Sequence, residues 1–214
     1  MEKWFVPQHM KSLAGCEVDC FGYDQTHQVS YQFNQLGFRG SYHEGFSVNV
    51  IGNSMAFGIG LAEPQVFGSI VSAKLGLGHN NFSFGCYLHE NHDHLANLRI
   101  LSQRTTDDIF VVQINNLDRL RDGDQVITGL DAGTAVRRFQ DYFEQVVSLL
   151  AHRRVIFVYW DDMEYTLPSA ITKKIAIHNK FCLDQSLGKN TFGPRSHRSI
   201  ALALTALIDA GQFN

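Results

Sequence analysis

A three-layer α/β/α domain with a mostly parallel sheet follows from three features of the 214-residue sequence. Short β-branched apolar runs, "VNVIG", "IFVVQI" and "VIFVYW", read as strands buried on both faces. Segments with apolar residues at helical spacing lie between them. Turn and cap residues such as Gly52, Gly76 and Gly211 punctuate the alternation. Strands alternating with helices in this way assemble into one parallel sheet with helices on either side.

Taken in order, residues 1–45 are rich in Gly, Gln, His and aromatic residues and show little periodicity. They read as an irregular lead-in packed on the core, and residues 46–214 as the α/β domain. "VNVIG" is the first core strand. Pro64 suits a helix start, and Val66, Phe67, Ile70, Val71 and Leu75 then recur on one helical face until Gly76. "NFSF" is a weak strand candidate and "HLANLRIL" a helix. Asp107 and Asp108 precede the strand "IFVVQI". Over 134–150, Val136, Phe139, Phe143, Val146, Val147 and Leu150 form one apolar stripe. "VIFVYW" is a buried strand, "DDMEYTLP" a turn and "KKIAIH" the last strand. The closing helix is "SHRSIALALTALIDAG", with Ser196 as N-cap and Gly211 as stop. Ligand sites of such sheets lie at the carboxyl ends of the strands. That edge gathers "GNS", "INNLD" and the loop after "VIFVYW".

Apolar residues make up 44% of the chain and charged residues 18%, which suits one soluble globular domain. The net charge of −3 argues against a broad basic face for nucleic acid. No apolar stretch is long enough for a membrane span, and the N-terminus has no secretory h-region. A cytoplasmic setting is expected. The four cysteines, Cys16, Cys20, Cys86 and Cys182, complete no zinc-ribbon pattern and read as reduced thiols.

Ser54 follows a buried strand within two residues of Gly52, which lets the chain turn sharply. Locally it suits either a nucleophile or a serine whose hydroxyl stabilises the turn. The series "YQFNQLGFRG", "VNVIGNSMAFGIGL" and "VFGSIVSAKLG" resembles the SGNH (GDSL-type) hydrolases. Asn34, Gly37, Phe38, Arg39 and Gly40 match the lead-in of many members, and Ser54 stands at the nucleophile. The resemblance implies a flavodoxin-like SGNH fold and a serine ester hydrolase or acyl transferase. Its substrate would be an acylated carbohydrate or small ester, and it needs no cofactor or metal. Gly85 and Asn116 then match the oxyanion donors, with Asn115 open as the alternative to Asn116. Preset donors of this kind stabilise charge as it develops on the substrate oxygen.

The family's Asp-x-x-His element is missing. "GKNTFGPRSH" matches from Phe192 to His197, which sets Gly188 at the aspartate and Thr191 at the histidine. A serine hydroxyl is a weak nucleophile without a base, and loss of the triad histidine costs on the order of 10⁶-fold in turnover. His197 and His178 are candidate replacements, with Asp184, Asp161 and Asp162 as carboxylate candidates. The other expectation is a catalytically degraded domain that binds a glycan, lipid or protein.

Two further clusters remain open. "HENHDHL" holds His89, His92 and His94 with Glu90 and Asp93. These are metal-ligand types at a spacing that fits no zinc signature, and they also suit a polar loop and helix start, or a histidine that serves Ser54. Trp160 and Asp161, at the end of "VIFVYW", suit substrate binding or a structural corner.

Overall fold

The computed structural model describes residues 6, 8–22, 27–84, 91–103, 107–114, 121–122, 125–126, 132–160, 174–177, 183–184 and 192–213. The lead-in holds α1 (Gln8–Lys11) and the strands β1 (Glu17–Phe21) and β2 (Gln28–Gln32). Then come β3 (Ser47–Ile51), α2 (Ser54–Phe57), a 3₁₀ turn (Glu63–Gln65), α3 (Phe67–Leu75) and β4 (Gly78–Asn81). Next are α4 (Asn91–Ser102), β5 (Ile109–Gln113), the short strands β6 (Arg121–Asp122) and β7 (Gln125–Val126), and α5 (Ala132–Leu149). The last elements are β8 (Arg154–Trp160), β9 (Lys174–Ile177) and α6 (Pro194–Asp209).

The five-stranded sheet runs β4-β3-β5-β8-β9, and every neighbouring pair in it is parallel. Alternation along the strands divides the core in two. Val48 and Val50, Ile109 and Val111, and Ile156 and Val158 face α3 and α6. Ile51, Phe110, Val112, Val155 and Phe157 face α4, α5 and the lead-in residues Val6, Met10, Phe33 and Phe38. The sheet is thus covered on both sides, which is why β3 and β5 are buried at every position.

Three local features differ from the sequence reading. The lead-in contains an antiparallel ribbon, β1 with β2, in which Val18 opposes Tyr31. Its polar residues obscure the alternation because this ribbon lies outside the main sheet. The strand beside β3 is "GHNN" rather than "NFSF". Asn80 secures it with side-chain bonds that no propensity scale anticipates. Its Nδ2 donates to the His43 carbonyl (3.0 Å) and its Oδ1 accepts from the His43 N–H (2.7 Å). Pairing then continues into the predicted segment, where Phe82 N–H donates to Val50 O and Phe84 N–H to Gly52 O.

Ser196 does not cap α6; Gly193 holds the N-cap position and Pro194 opens the helix. The capping acceptor comes from elsewhere in the chain. Asp184 Oδ2 accepts from Arg195 N–H and Oδ1 from Ser196 N–H, both at 2.8 Å. The Ser196 hydroxyl lies 2.7 Å from Asp184 Oδ1 and itself accepts from Leu183 N–H (2.9 Å). A carboxylate at a helix N-terminus satisfies orphan donors and opposes the helix dipole. Asp184→Ala is expected to lower stability by about 1–2 kcal/mol, with Asp184→Asn falling between it and wild type in urea denaturation.

Candidate active site

The turn that carries Ser54 is built without a gap from the end of β3. Gly52 follows Ile51, Asn53 caps α2, and Ser54 is the first residue of that four-residue helix. Ser54 is half-buried, whereas Met55, Ala56 and Phe57 are buried. Gly58 ends α2 at φ +79°, a conformation that favours glycine, and its N–H donates to the Ser54 and Met55 carbonyls. A Cβ there would lie 2.4 Å from a Val66 methyl.

A helix this short makes few bonds of its own, so its buried polar groups need outside partners. Three side chains supply them. Gln113, at the end of β5, accepts at Oε1 from Asn53 N–H and Ala56 N–H, both at 3.2 Å. Its Nε2 donates to Asn53 Oδ1 at 2.6 Å. Asn81, at the end of β4, donates to the Ala56 carbonyl (3.1 Å) and to that of Phe57 (3.4 Å). Arg39, from the lead-in, donates to the carbonyls of Phe57 (2.8 Å), Gly58 (2.6 Å) and Leu61.

Arg39 is 1% exposed, and its charge is met by Glu63 at 3.1 Å. Its guanidinium also lies 4.2 Å from the centre of the Tyr31 ring, whose hydroxyl accepts from Gly60 N–H at 2.5 Å. Burial pushes the Arg39 pKa down, against the charge of Glu63. Burial also raises the Tyr31 phenol. Burial alone would raise the Glu63 carboxyl. The hydrogen bond from His79 and the Arg39 charge outweigh it and hold the pKa at about 2.

Glu63, Ser69 and His79 make a second cluster that the sequence reading did not find. Ser69 Oγ donates to Glu63 Oε1 (2.8 Å), and His79 Nδ1 lies 2.9 Å from both Glu63 Oε1 and Ser69 Oγ. The residue types are those of a hydrolytic triad, but the geometry is not. A relay needs the imidazole to offer one nitrogen to the acid and the other to the serine. Here Nδ1 is spent on Glu63, and Nε2 is buried against Gly68, where a Cβ would approach it to 2.4 Å. The cluster instead ties α3 and β4 to the carboxylate that neutralises Arg39.

His197 sits in the first turn of α6 and is 1% exposed. Its Nδ1 accepts the Phe67 N–H at 3.1 Å, and its ring stacks on Phe67 at 5.6 Å between centres. Phe67 opens α3, so His197 caps an orphan N–H of that helix. Burial, reinforced by the Arg39 charge and opposed by Asp184, lowers its pKa to about 3. The imidazole is therefore neutral at pH 7, with Nδ1 occupied.

Among the described residues no side chain is hydrogen-bonded to the Ser54 hydroxyl. Gly85, Asn115, Asn116, Asp161, His178, Gly188 and Thr191 lie outside the described residues, as do His89 and Glu90. Trp160 is the last residue of β8, on the same sheet edge as Ser54. His94 is buried within α4, with its ring 4.7 Å from that of Phe84. No group of three metal-ligand side chains occurs among the described residues. No helix among them is long and apolar enough to cross a membrane.

The fold is that of SGNH, or GDSL-type, lipolytic hydrolases. The psychrotrophic esterase EstA from Pseudoalteromonas sp., in a structure inhibited by monoethylphosphonate, superposes with a TM-score of 0.53. The match spans 78% of this chain and 98% of that one at 12% identity. A member of the lipolytic G-D-S-L family from Veillonella parvula DSM 2008 gives a TM-score of 0.50 at 12% identity, over 77% of this chain and 97% of the other. A protein from Desulfitobacterium hafniense DCB-2 assigned to the same family gives 0.54 at 12% identity, over 76% and 99%. No family model matches the sequence, and no curated protein matches it.

Two measurements check this account of the buried charges. Arg39→Met strands buried carbonyls and the Glu63 carboxylate, and is expected to cost about 3–5 kcal/mol in urea denaturation. Arg39→Lys is not expected to restore it, because an ammonium lacks the fork that reaches both carbonyls and carboxylate. For His197 the folded pKa is depressed, so as pH falls the unfolded chain takes up the proton first. The contribution of His197 is complete above about pH 6.5 and is lost progressively toward pH 3. The stability gap between wild type and His197→Gln is expected to narrow by about 2 kcal/mol between pH 7 and pH 5.

Proposed function

We propose that the chain is a serine ester hydrolase or acyl transferase of SGNH type, acting on an acylated carbohydrate or other small ester. Ser54 is the nucleophile in this reading. The observation that carries it is the Ser54 turn, half-exposed at the carboxyl edge of β3 and fixed by side chains from β4, β5 and the lead-in. Such rigidity suits a nucleophile that must meet an acyl carbon in one orientation. Ser54 attacks that carbon. Its own N–H, Gly85 and Asn116 stabilise the oxyanion, and Asn115, Trp160 and Asp161 line the substrate site.

The base in this reading is not His197. His197 is occupied by Phe67 and resists protonation until about pH 3. His178 follows β9 in the sequence, lies outside the described residues and stays a candidate. Support for His89 or His92 is topological. β4 adjoins β3, and the Phe84 N–H donates to the Gly52 carbonyl. The described chain that precedes "HENHDH" in sequence thus ends, at Phe84, beside the Ser54 turn.

The missing Asp-x-x-His element favours a second reading, a degraded domain that binds a glycan, lipid or protein without turnover. Intact-mass labelling with a fluorophosphonate separates the two. A single adduct that is absent in Ser54→Ala and forms at least tenfold more slowly in one of His89→Ala, His92→Ala and His178→Ala is expected for the hydrolase. Folded wild-type protein that takes no label establishes the binding module instead.

A further inference from the structure

We propose that Gln113 is the positioning residue of the nucleophile, holding the Ser54 turn in register through a four-bond amide lock with Asn53. This inference rests on the reading of Ser54 as a nucleophile. Gln113 is 1% exposed and ends β5, the strand paired with β3. Both of its amide atoms are committed. Oε1 accepts from Asn53 N–H and Ala56 N–H, and Nε2 donates to Asn53 Oδ1. Asn53 Oδ1 closes the lock by accepting from Met55 N–H at 3.4 Å. The bonded residues, Asn53, Met55 and Ala56, bracket Ser54.

The orientation of both amides is determined by this pattern. Reversing Gln113 would face an NH₂ against two N–H donors, and reversing Asn53 would face two NH₂ groups against each other. The Ala56 N–H lies in the first turn of α2 and has no helical partner, so Gln113 is what satisfies it. The backbone beneath is fitted to the same side chain. A Cβ on Gly52 would come within 2.5 Å of Gln113 Oε1 and 2.7 Å of its Cβ. The glycine before the nucleophile is thus required by the glutamine across the strand pair as well as by the turn.

The lock acts on Ser54 through its neighbours and makes no bond to the hydroxyl, so its effect belongs in the chemical step. A displacement of about 1 Å in a reacting group costs on the order of 100-fold. Gln113→Met removes all three Gln113 bonds at similar volume. Gln113→Glu keeps the acceptor and loses the donor to Asn53.

The test pairs amide hydrogen exchange at Ala56 and Asn53 with fluorophosphonate labelling kinetics, with near-UV circular dichroism confirming the fold. In Gln113→Met, exchange at both amides is expected to accelerate at least tenfold. The maximal labelling rate should fall about 100-fold, while the probe concentration at half-maximal rate stays within about threefold. Gln113→Glu should retain protection at Ala56 and label at an intermediate rate. Wild-type exchange at Ala56, or a wild-type maximal labelling rate, in folded Gln113→Met overturns the proposal. If that variant does not fold, a wild-type labelling rate in Gln113→Glu overturns it. If wild-type protein takes no label, the nucleophile reading fails, and the exchange comparison decides by itself whether Gln113 holds the turn.

Discussion

The structure depends on satisfying the backbone of a helix too short to satisfy itself. Residues 54–57 are mostly buried at the edge of the sheet, yet a single helical turn leaves most of its N–H and C=O groups without internal partners. An unpaired buried amide or carbonyl costs about 1–3 kcal/mol. Gln113 meets the amino end of α2, while Asn81 and Arg39 meet the carboxyl end. Each comes from a different element. The position of Ser54 is therefore a property of β4, β5 and the lead-in together.

One of these partners is charged, and that charge has consequences. A buried guanidinium is tolerable only when its charge and its donors are met. Glu63 supplies the charge, and its own depressed pKa reflects bonds from His79 and Ser69 as well as Arg39. A chain of contacts thus runs from the lead-in through the loop after Ser54 to α3 and β4. Gly40 fits the same demand, since a Cβ there would meet Glu63 Oε1 at 3.1 Å. The Asn34-to-Gly40 segment seen in the sequence is a device for delivering Arg39. Asn34 Oδ1 accepts from Leu36 and Phe38 N–H to shape the turn that does so.

The carboxyl-terminal helix shows the same economy with a different result. His197 and Asp184, both of which invite a catalytic reading from sequence, cap α3 and α6 respectively. The imidazole spends its lone pair on Phe67, and the carboxylate spends both oxygens on α6. These roles explain how the "FGPRSH" segment takes a defined structure at the start of α6.

By itself the sequence determined the alternation of strands and helices, because two-sided burial demands continuous apolar runs in β3, β5 and β8 and a stripe on α5. It also marked the sharp turn after β3 that carries Ser54, because a glycine at a strand end leaves a local signature. It did not reveal β4, whose "GHNN" is held by Asn80 across to residue 43, nor the roles of Gln113 and Asn81. It also misplaced the cap of α6. Each of these rests on hydrogen bonds between residues far apart in the chain. Local propensity and periodicity describe a residue's neighbours in sequence, whereas a buried amide or carboxylate takes its role from whichever donors the folded sheet sets against it.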